Sequence, residues 1–188
     1  VTAAGETIGR LVEAAREADT DIRESISGLR ESLSEGGFFA ALAKYLCQYE
    51  KNCAIRVALE KPEGISDAVF EPIVAVQLLR ILQEALTNVR KHANAQRVHI
   101  RFALENDGGP RQWACVIVRD DGCGFDASAL SDKSGGHFGL RVMQERVEAV
   151  GGQFTLHAQP GRGTTVVIRV PVRLAGDTEP QMRKIEHG

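Results

Sequence analysis

In QEALTNVRKHA, Gln83 to Ala93, residues Glu84, Asn88 and Lys91 or His92 recur at i, i+4 and i+7 or i+8, so on a helix they share one face. Asn88 can lend a neutral carbonyl oxygen to Mg²⁺, a hard cation that keeps several waters and bridges phosphates. Glu84 can hydrogen-bond a water or act as a base toward a nucleophile, and Lys91 and His92 can contact phosphate. The aliphatic residues of the stretch fall on the opposite side, which turns this polar row toward a cleft or toward water. Taken alone, the row is also an ordinary solvated helix face.

Three glycine-bearing stretches follow in order. Asp120-Asp121-Gly122-Cys123-Gly124-Phe125 comes directly after the strand-like ACVIV. A carboxylate at a strand end can accept a hydrogen bond from a purine exocyclic amine, while glycines two and four residues on let a ring lie against backbone. The same residues also make a plain acidic turn. Ser134 to Leu140, with Gly135, Gly136, His137 and Gly139, runs straight into a helical pattern. Backbone amides freed by glycine at a helix start form an anion site for a di- or triphosphate. No Gly-Lys-Ser/Thr follows, so this is not a Walker loop, and no strand precedes it as in a Rossmann fingerprint. Finally, Gly161-Arg162-Gly163 leads into Thr164 and Thr165, whose hydroxyl could bond a purine edge directly or through water, or simply open a strand.

These groups need a scaffold, and the periodicities describe one. Residues 1–34 carry a stripe from Ile8 to Leu33 at spacings of three and four, one long amphipathic helix that needs a partner and ends at Gly36-Gly37, where we place a domain junction. Phe38 to Glu50 reads as a shorter helix, Ala54 to Leu59 as a strand, and Pro62-Glu63-Gly64 as a turn. A strong helix is predicted over 70–93, burying Ile73, Val76, Leu79, Ile81, Leu82, Leu86 and Val89. Val98 to Leu104 and Trp113 to Val118 read as a hairpin around Asn106 to Gly109. Leu140 to Val150 is a helix stopped by Gly151-Gly152, and Phe154 to Ala158 pairs with Thr164 to Pro171 in a second hairpin. The polar tail from Leu174 is expected to fray. Tight turns between neighbouring strands, interleaved with helices, predict a mixed sheet with helices on one face: a two-layer α/β sandwich. The organisation expected is 1–35 as a helical segment, 36–172 as the α/β domain and 173–188 as a tail.

Composition narrows the possibilities. The chain has 188 residues, 43% hydrophobic and 26% charged, with a net charge of −2, so nothing pulls it toward nucleic acid or an anionic membrane. No apolar run approaches the roughly 20 residues of a membrane span, and no signal-peptide pattern opens it. Cys47, Cys53, Cys115 and Cys123 form no CxxC pair, and the apolar neighbours of Cys47 and Cys115 predict burial. Free thiols of a cytosolic protein are the reading, with no spacing for zinc. Val1 in place of Met suggests a piece of something longer.

As a set, the four stretches resemble the GHKL ATPase superfamily and, within it, the ATP-binding catalytic domain of bacterial sensor histidine kinases of the nitrate/nitrite-sensor type. QEALTNVRKHA, GHFGLRVMQERVEAVGG and the earlier EADTDIRESISGLR carry that likeness, which covers nearly all of residues 15–171. The resemblance implies that Asn88 coordinates Mg²⁺ and that Glu84 lies by the γ-phosphate as base or water-orienting group. Lys91 and His92 would approach the phosphates. Asp120 would take the adenine amine, with Gly122 and Gly124 shaping that wall. Gly136, His137, Gly139 and Leu140 would hold phosphates at the helix start, and Thr164 would complete the adenine site. It further implies ATP and Mg²⁺ as ligands, a response-regulator receiver domain as partner, a homodimer in the full-length protein, and a cytoplasmic domain whose parent is anchored in the inner membrane.

Two departures stand out. Only ten residues separate Phe125 from Gly136, a short lid. Such kinases also phosphorylate a histidine on the first helix of a dimerising hairpin, just before an acidic residue, yet His92, His99, His137, His157 and His187 are followed by Ala, Ile, Phe, Ala and Gly. Residues 1–34 resemble the second hairpin helix, so the acceptor is expected outside this sequence and self-phosphorylation is not expected. The alternatives are another GHKL-type ATPase or serine kinase, and a non-catalytic nucleotide-binding or dimerisation module.

Overall fold

The longest helix shows how the chain is built. Pro72 stands in its first turn, where a missing N–H costs nothing. Val74, Ala75, Leu78, Leu79, Ile81, Leu82, Ala85 and Leu86 then recur at three- and four-residue steps and are buried. The computed structural model describes residues 36–106, 108, 111–126 and 138–173. Within them, helix α1 runs over 36–53, α2 over Pro72–Asn88 and α3 over Phe138–Ala149. The strands are β1 (Arg56–Glu60), β2 (Arg97–Asn106), β3 (Gln112–Asp120), β4 (Gln153–Ala158) and β5 (Thr164–Val172).

The five strands form one sheet in the order β1-β2-β3-β5-β4. β1 lies parallel to β2, as a strand–helix–strand crossover through α2 requires, and every other pair is antiparallel. The two hairpins, β2–β3 and β4–β5, join through β3 and β5, with Val118 opposite Val166. Strand alternation does the sorting. Val98, Ile100 and Phe102 of β2, Ala114, Val116 and Val118 of β3, and Val166, Ile168 and Val170 of β5 point to one face and are buried. Against them pack Phe38, Leu42, Leu46 and Tyr49 of α1, the α2 stripe, and Met143 and Val147 of α3. This is the expected mixed sheet with helices, a two-layer α/β arrangement. Among the described residues no helix is long and apolar enough to cross a membrane.

Several details differ from the sequence reading. α-Helical geometry starts at Pro72 and stops at Asn88, and Val89–Ala93 continue as a π-helical turn. Ile73 is 55% exposed rather than buried, because the buried stripe begins with Val74 and Ala75, next to it on the cylinder. Cys47 is exposed, since α1 turns Leu46 and Tyr49 inward and leaves Cys47 outside, whereas Cys115 is buried; all four cysteines are free. β1 starts two residues late because Ala54 takes φ +53°. Gly36 and Gly37 open the helical stretch over 36–53, and Gly37 has φ +80°. The predicted helix over 1–34, the residues either side of Gly108 in the first hairpin turn, and the tail from 174 lie outside the described residues.

Core position, not hydrophobicity, should then set the cost of truncation. Leu82→Ala, at a site with no solvent exposure, is expected to lose about 2–5 kcal/mol of stability. Ile73→Ala should stay within about 0.5 kcal/mol of the parent in urea denaturation.

Candidate nucleotide-binding site

Strand parity brings the first site residues together. Asp120 has the same alternation as Val116 and Val118, and Thr164 the same as Val166 and Ile168, so both point toward the helix layer at adjacent strand ends. Asp120 is 4% exposed and is the one buried charged residue among those described. Burying a carboxylate without an ion pair is costly unless hydrogen bonds replace water. One comes from the loop itself: Gly122 N donates to Asp120 Oδ1 at 2.8 Å.

That loop is clamped from both sides. The π-helical turn leaves main-chain carbonyls without helical partners, and Cys123 N donates to Ala93 O at 2.7 Å. Asn94 follows with φ +49°, ending the helix in the left-handed conformation. Asp121 ties the same corner: its Oδ1 accepts from Gln96 N at 2.8 Å and Arg97 N at 2.9 Å. The bond from Arg97 N, foremost among these contacts, holds the Asp121 carboxyl below its ordinary range. On the far side, Gly161 N donates to Cys123 O at 2.6 Å. Glycine at 122 is a steric necessity, because a Cβ there would collide with Ala93 O and lie 2.7 Å from Ala93 Cβ and 2.8 Å from Asp120 Oδ1.

A second close approach sits at the start of α3. A Cβ on Gly139 would collide with Glu84 Oε1 and lie 3.4 Å from Asn88 Nδ2. The polar row of α2 therefore faces the first turn of α3, where backbone amides have no helical acceptor. Glu84 and Asn88 are half-buried, while Lys91 and His92 are exposed at the basic end of the helix.

Between these walls lies a small cleft partly open to solvent. Asn88, His92, Asp120, Gly124, Leu140 and Thr164 line it, all singled out from the sequence. Gly122 and Gly139 shape it from behind as close-packed backbone. Glu84 stands beside it at Gly139, and Lys91 is not among its lining residues. Gly136 and His137 lie outside the described residues. The apolar lining was missed: Ala85, Val89, Val118, Met143 and Val166 supply flat greasy walls around one buried carboxylate. Their signal was available, since Ala85 and Val89 bracket Asn88 on the helix and Val118 and Val166 precede Asp120 and follow Thr164 by two. A planar ring with a hydrogen-bond donor on its edge suits those walls. Among the described residues no group of three or more His, Cys, Asp or Glu could hold a metal. Asn88 alone fits a cation held mainly by phosphate oxygens and water.

Residues 73–174 match the family described as histidine kinase-, DNA gyrase B-, and HSP90-like ATPase. The chain is 35% identical to the signal transduction histidine-protein kinase/phosphatase DegS of Brevibacillus brevis, covering 81% of this chain and 37% of that protein. It is 30% identical to the nitrate/nitrite sensor protein NarQ of Escherichia coli (strain K12), over 83% of this chain and 26% of that one. The chain thus spans well under half the length of these relatives. Among solved structures, the histidine kinase domain of the blue-light activated histidine kinase from Erythrobacter litoralis EL346 shares the fold, with a TM-score of 0.58, 22% identity, and coverage of 77% of this chain and 70% of that one.

The glycine contacts give a direct test. Gly122→Ala is expected to destabilise by about 1–3 kcal/mol through overpacking, whereas Gly64→Ala, with nothing within 4 Å, should be neutral in the same melt.

Proposed function

The chain belongs to the histidine kinase-, DNA gyrase B-, and HSP90-like ATPase family, and we propose that it is the ATP-binding catalytic core of a two-component sensor histidine kinase. In this reading it presents the γ-phosphoryl of ATP to a histidine, for relay to a response-regulator receiver domain. The observation that carries it is Asp120: a buried carboxylate at a strand end, facing a greasy cleft that it shares with Asn88 and Thr164.

Each residue has a part in that chemistry. Asp120 Oδ1 already accepts from Gly122 N–H, so its other lone pairs are left for an adenine amine. Val89, Val118, Met143 and Val166 flank the ring, and Thr164 offers its hydroxyl at the ring edge. Asn88 is the residue that would hold Mg²⁺, whose charge would offset the phosphates. Glu84, beside it, orients or takes a proton from the attacking group. Lys91 adds positive charge at the basic end of the helix, with the His92 ring beside it, and Gly139 and Leu140 bound the phosphate side; Gly136 and His137, assigned there from the sequence, lie outside the described residues. Phosphoryl transfer asks little covalent chemistry of the protein, mainly position and charge neutralisation.

The acceptor is a different matter. His92 sits at the cleft, His99 Nε2 lies 2.9 Å from Glu60 Oε1 in the sheet, and His157 stands on β4. None of these is on a helix face before an acidic residue. We place the acceptor histidine in another segment of the full protein, with residues 1–35 as part of a dimerising hairpin, 36–172 as the catalytic domain and 173–188 as a tail. The parent would be a homodimer anchored in the inner membrane, with this domain on the cytoplasmic side where ATP and receiver domains reside. We assign it to the nitrate/nitrite-sensor type on QEALTNVRKHA and the 30% identity with NarQ; the 35% identity with DegS supports the wider sensor-kinase group as well.

Calorimetry tests the donor site. Mg²⁺-ATP should bind, and Asp120→Asn, which swaps a lone-pair acceptor for an amide, should weaken binding about tenfold or more, the loss of one charged hydrogen bond. No heat with the parent protein, or an unchanged affinity in the variant, overturns the assignment. Catalysis is tested in the full-length kinase: label from γ-labelled ATP should reach a receiver domain, and Asn88→Ala should abolish that transfer while leaving the receiver able to accept phosphoryl from a small-molecule donor.

A further inference from the structure

Tyr49 of α1 is 5% exposed, and its hydroxyl donates to the main-chain carbonyl of Leu86 in α2 at 3.0 Å. A phenylalanine would fill the same space, so the hydroxyl adds direction, not volume. Its acceptor is an unusual one. The Leu86 carbonyl is inside a helix and already receives the N–H of Val89, which bonds Ala85 O as well. A second donor at that oxygen stands where the α-helical ladder gives way to the π-helical turn at Val89–Ala93. One extra residue in a turn shifts every following side chain around the axis, and such turns recur at functional sites.

Tyr45 lies one turn earlier on the same face of α1, its ring centroid 6.3 Å from that of Tyr49. Its hydroxyl lies beside the Thr87 side chain and near enough to feel the charges of Arg90 and Glu84, and burial pushes its phenol above the ordinary range. Two tyrosines of α1 thus meet two successive residues of α2, Tyr49 bonding the Leu86 carbonyl and Tyr45 standing beside Thr87. The next residue is Asn88. Glu84 and Asn88 are in turn pressed on their other side by the first turn of α3 at Gly139. Burial pushes the Tyr49 phenol up to about 12, so it remains a donor throughout the physiological range.

We infer that Tyr49 and Tyr45 are positioning residues, which set the rotation of α2 at Leu86–Thr87 and thereby aim Asn88 and Glu84 at the metal–phosphate end of the site. This inference rests on the nucleotide reading above. It assigns α1 a role beyond packing. α1 is the first described element and follows residues 1–35 in the chain, so a change in its seat on α2 reaches Asn88 through the Tyr49 hydrogen bond and the Tyr45 ring beside it, while Asp120 and Thr164, on the sheet, keep their place.

The division between the two ends of the cleft supplies the test. ADP binding by calorimetry is measured for the parent, Tyr49→Phe and Tyr45→Phe, once in excess EDTA and once across a Mg²⁺ titration, alongside thermal melts. In EDTA both variants should bind ADP within about twofold of the parent. The gain in ADP affinity that Mg²⁺ brings should fall at least fivefold in Tyr49→Phe, and by a smaller factor in Tyr45→Phe. Equal losses with and without Mg²⁺ would mean that the tyrosines merely support the pocket, and the inference fails; it fails also if the Mg²⁺-dependent gain is untouched in both variants. Should Tyr49→Phe not fold, Tyr45→Phe decides alone, because it removes a hydroxyl that lies beside Thr87 and leaves the backbone bonds of both helices intact. A parent protein that binds no ADP sinks the nucleotide reading and this inference together, whereas a parent that binds with variants that match it sinks this one only.

Discussion

A buried carboxylate without an ion-pair partner among the described residues organises this structure. Asp120 is held off water at a strand end, and what makes that tolerable is backbone brought unusually close to it. Gly122 N–H satisfies one of its oxygens. A Cβ on Gly163 would collide with the Asp120 carbonyl, and one on Gly124 with the Gln159 carbonyl, so the loop after β3 and the turn before β5 interlock through residues that lack side chains. The interlock reaches α2 through Cys123 N–H and the Ala93 carbonyl. Sheet, helix end and both glycine loops therefore meet at one charged group, and each must be in place before it can be buried.

The rest of the fold follows from that convergence. β3 and β5 must be neighbours for Asp120 and Thr164 to stand side by side, and this forces the two sequential hairpins into one sheet. α2 must pack on the face to which Asp120 points, so the crossover from β1 to β2 lays it there and makes β1 the one parallel strand. α2 carries two loads at once: Leu78, Leu82 and Leu86 close the core, while Glu84 and Asn88 look toward α3. A regular α-helix cannot also deliver its last carbonyl to the Cys123 amide at an arbitrary angle, and the π-helical turn at Val89–Ala93 supplies the extra rotation.

Much of this was legible in the sequence because it depends on local periods. The strand patterns placed Asp120 at the end of one strand and Thr164 at the start of another, helical spacing put Glu84 and Asn88 on one face, and the glycine pairs marked the turns. What was not legible depends on contacts between distant segments. The exposure of Ile73 and Cys47 reflects where α2 and α1 begin to touch the sheet, which no period of either helix encodes. The π-helical turn has no residue signature in VRKHA; it is dictated by a loop some thirty positions away. Tyr49 was not singled out within the helical pattern over 38–50, because that pattern does not show the carbonyl of Leu86 that its hydroxyl meets. Sequence reasoning thus found polar groups that line the cleft and overlooked a hydroxyl that meets the helix behind them.

That difference has a mechanical consequence. The Asp120 end of the cleft is built on β3 and β5, central strands whose paired backbones leave little freedom. The Asn88 end is built on the last turns of α2, between α1 and α3, where position is set by the Tyr49 hydrogen bond and by helix packing. Helices slide and rotate on one another far more cheaply than central strands exchange partners. In the proposed kinase reading, a domain divided in this way would keep its nucleotide while the groups around the transferring phosphoryl are brought in and out of alignment. For a reaction whose catalysis is mostly positioning, control of α2 by its neighbours would then be control of the rate, with no change in the affinity for the ring.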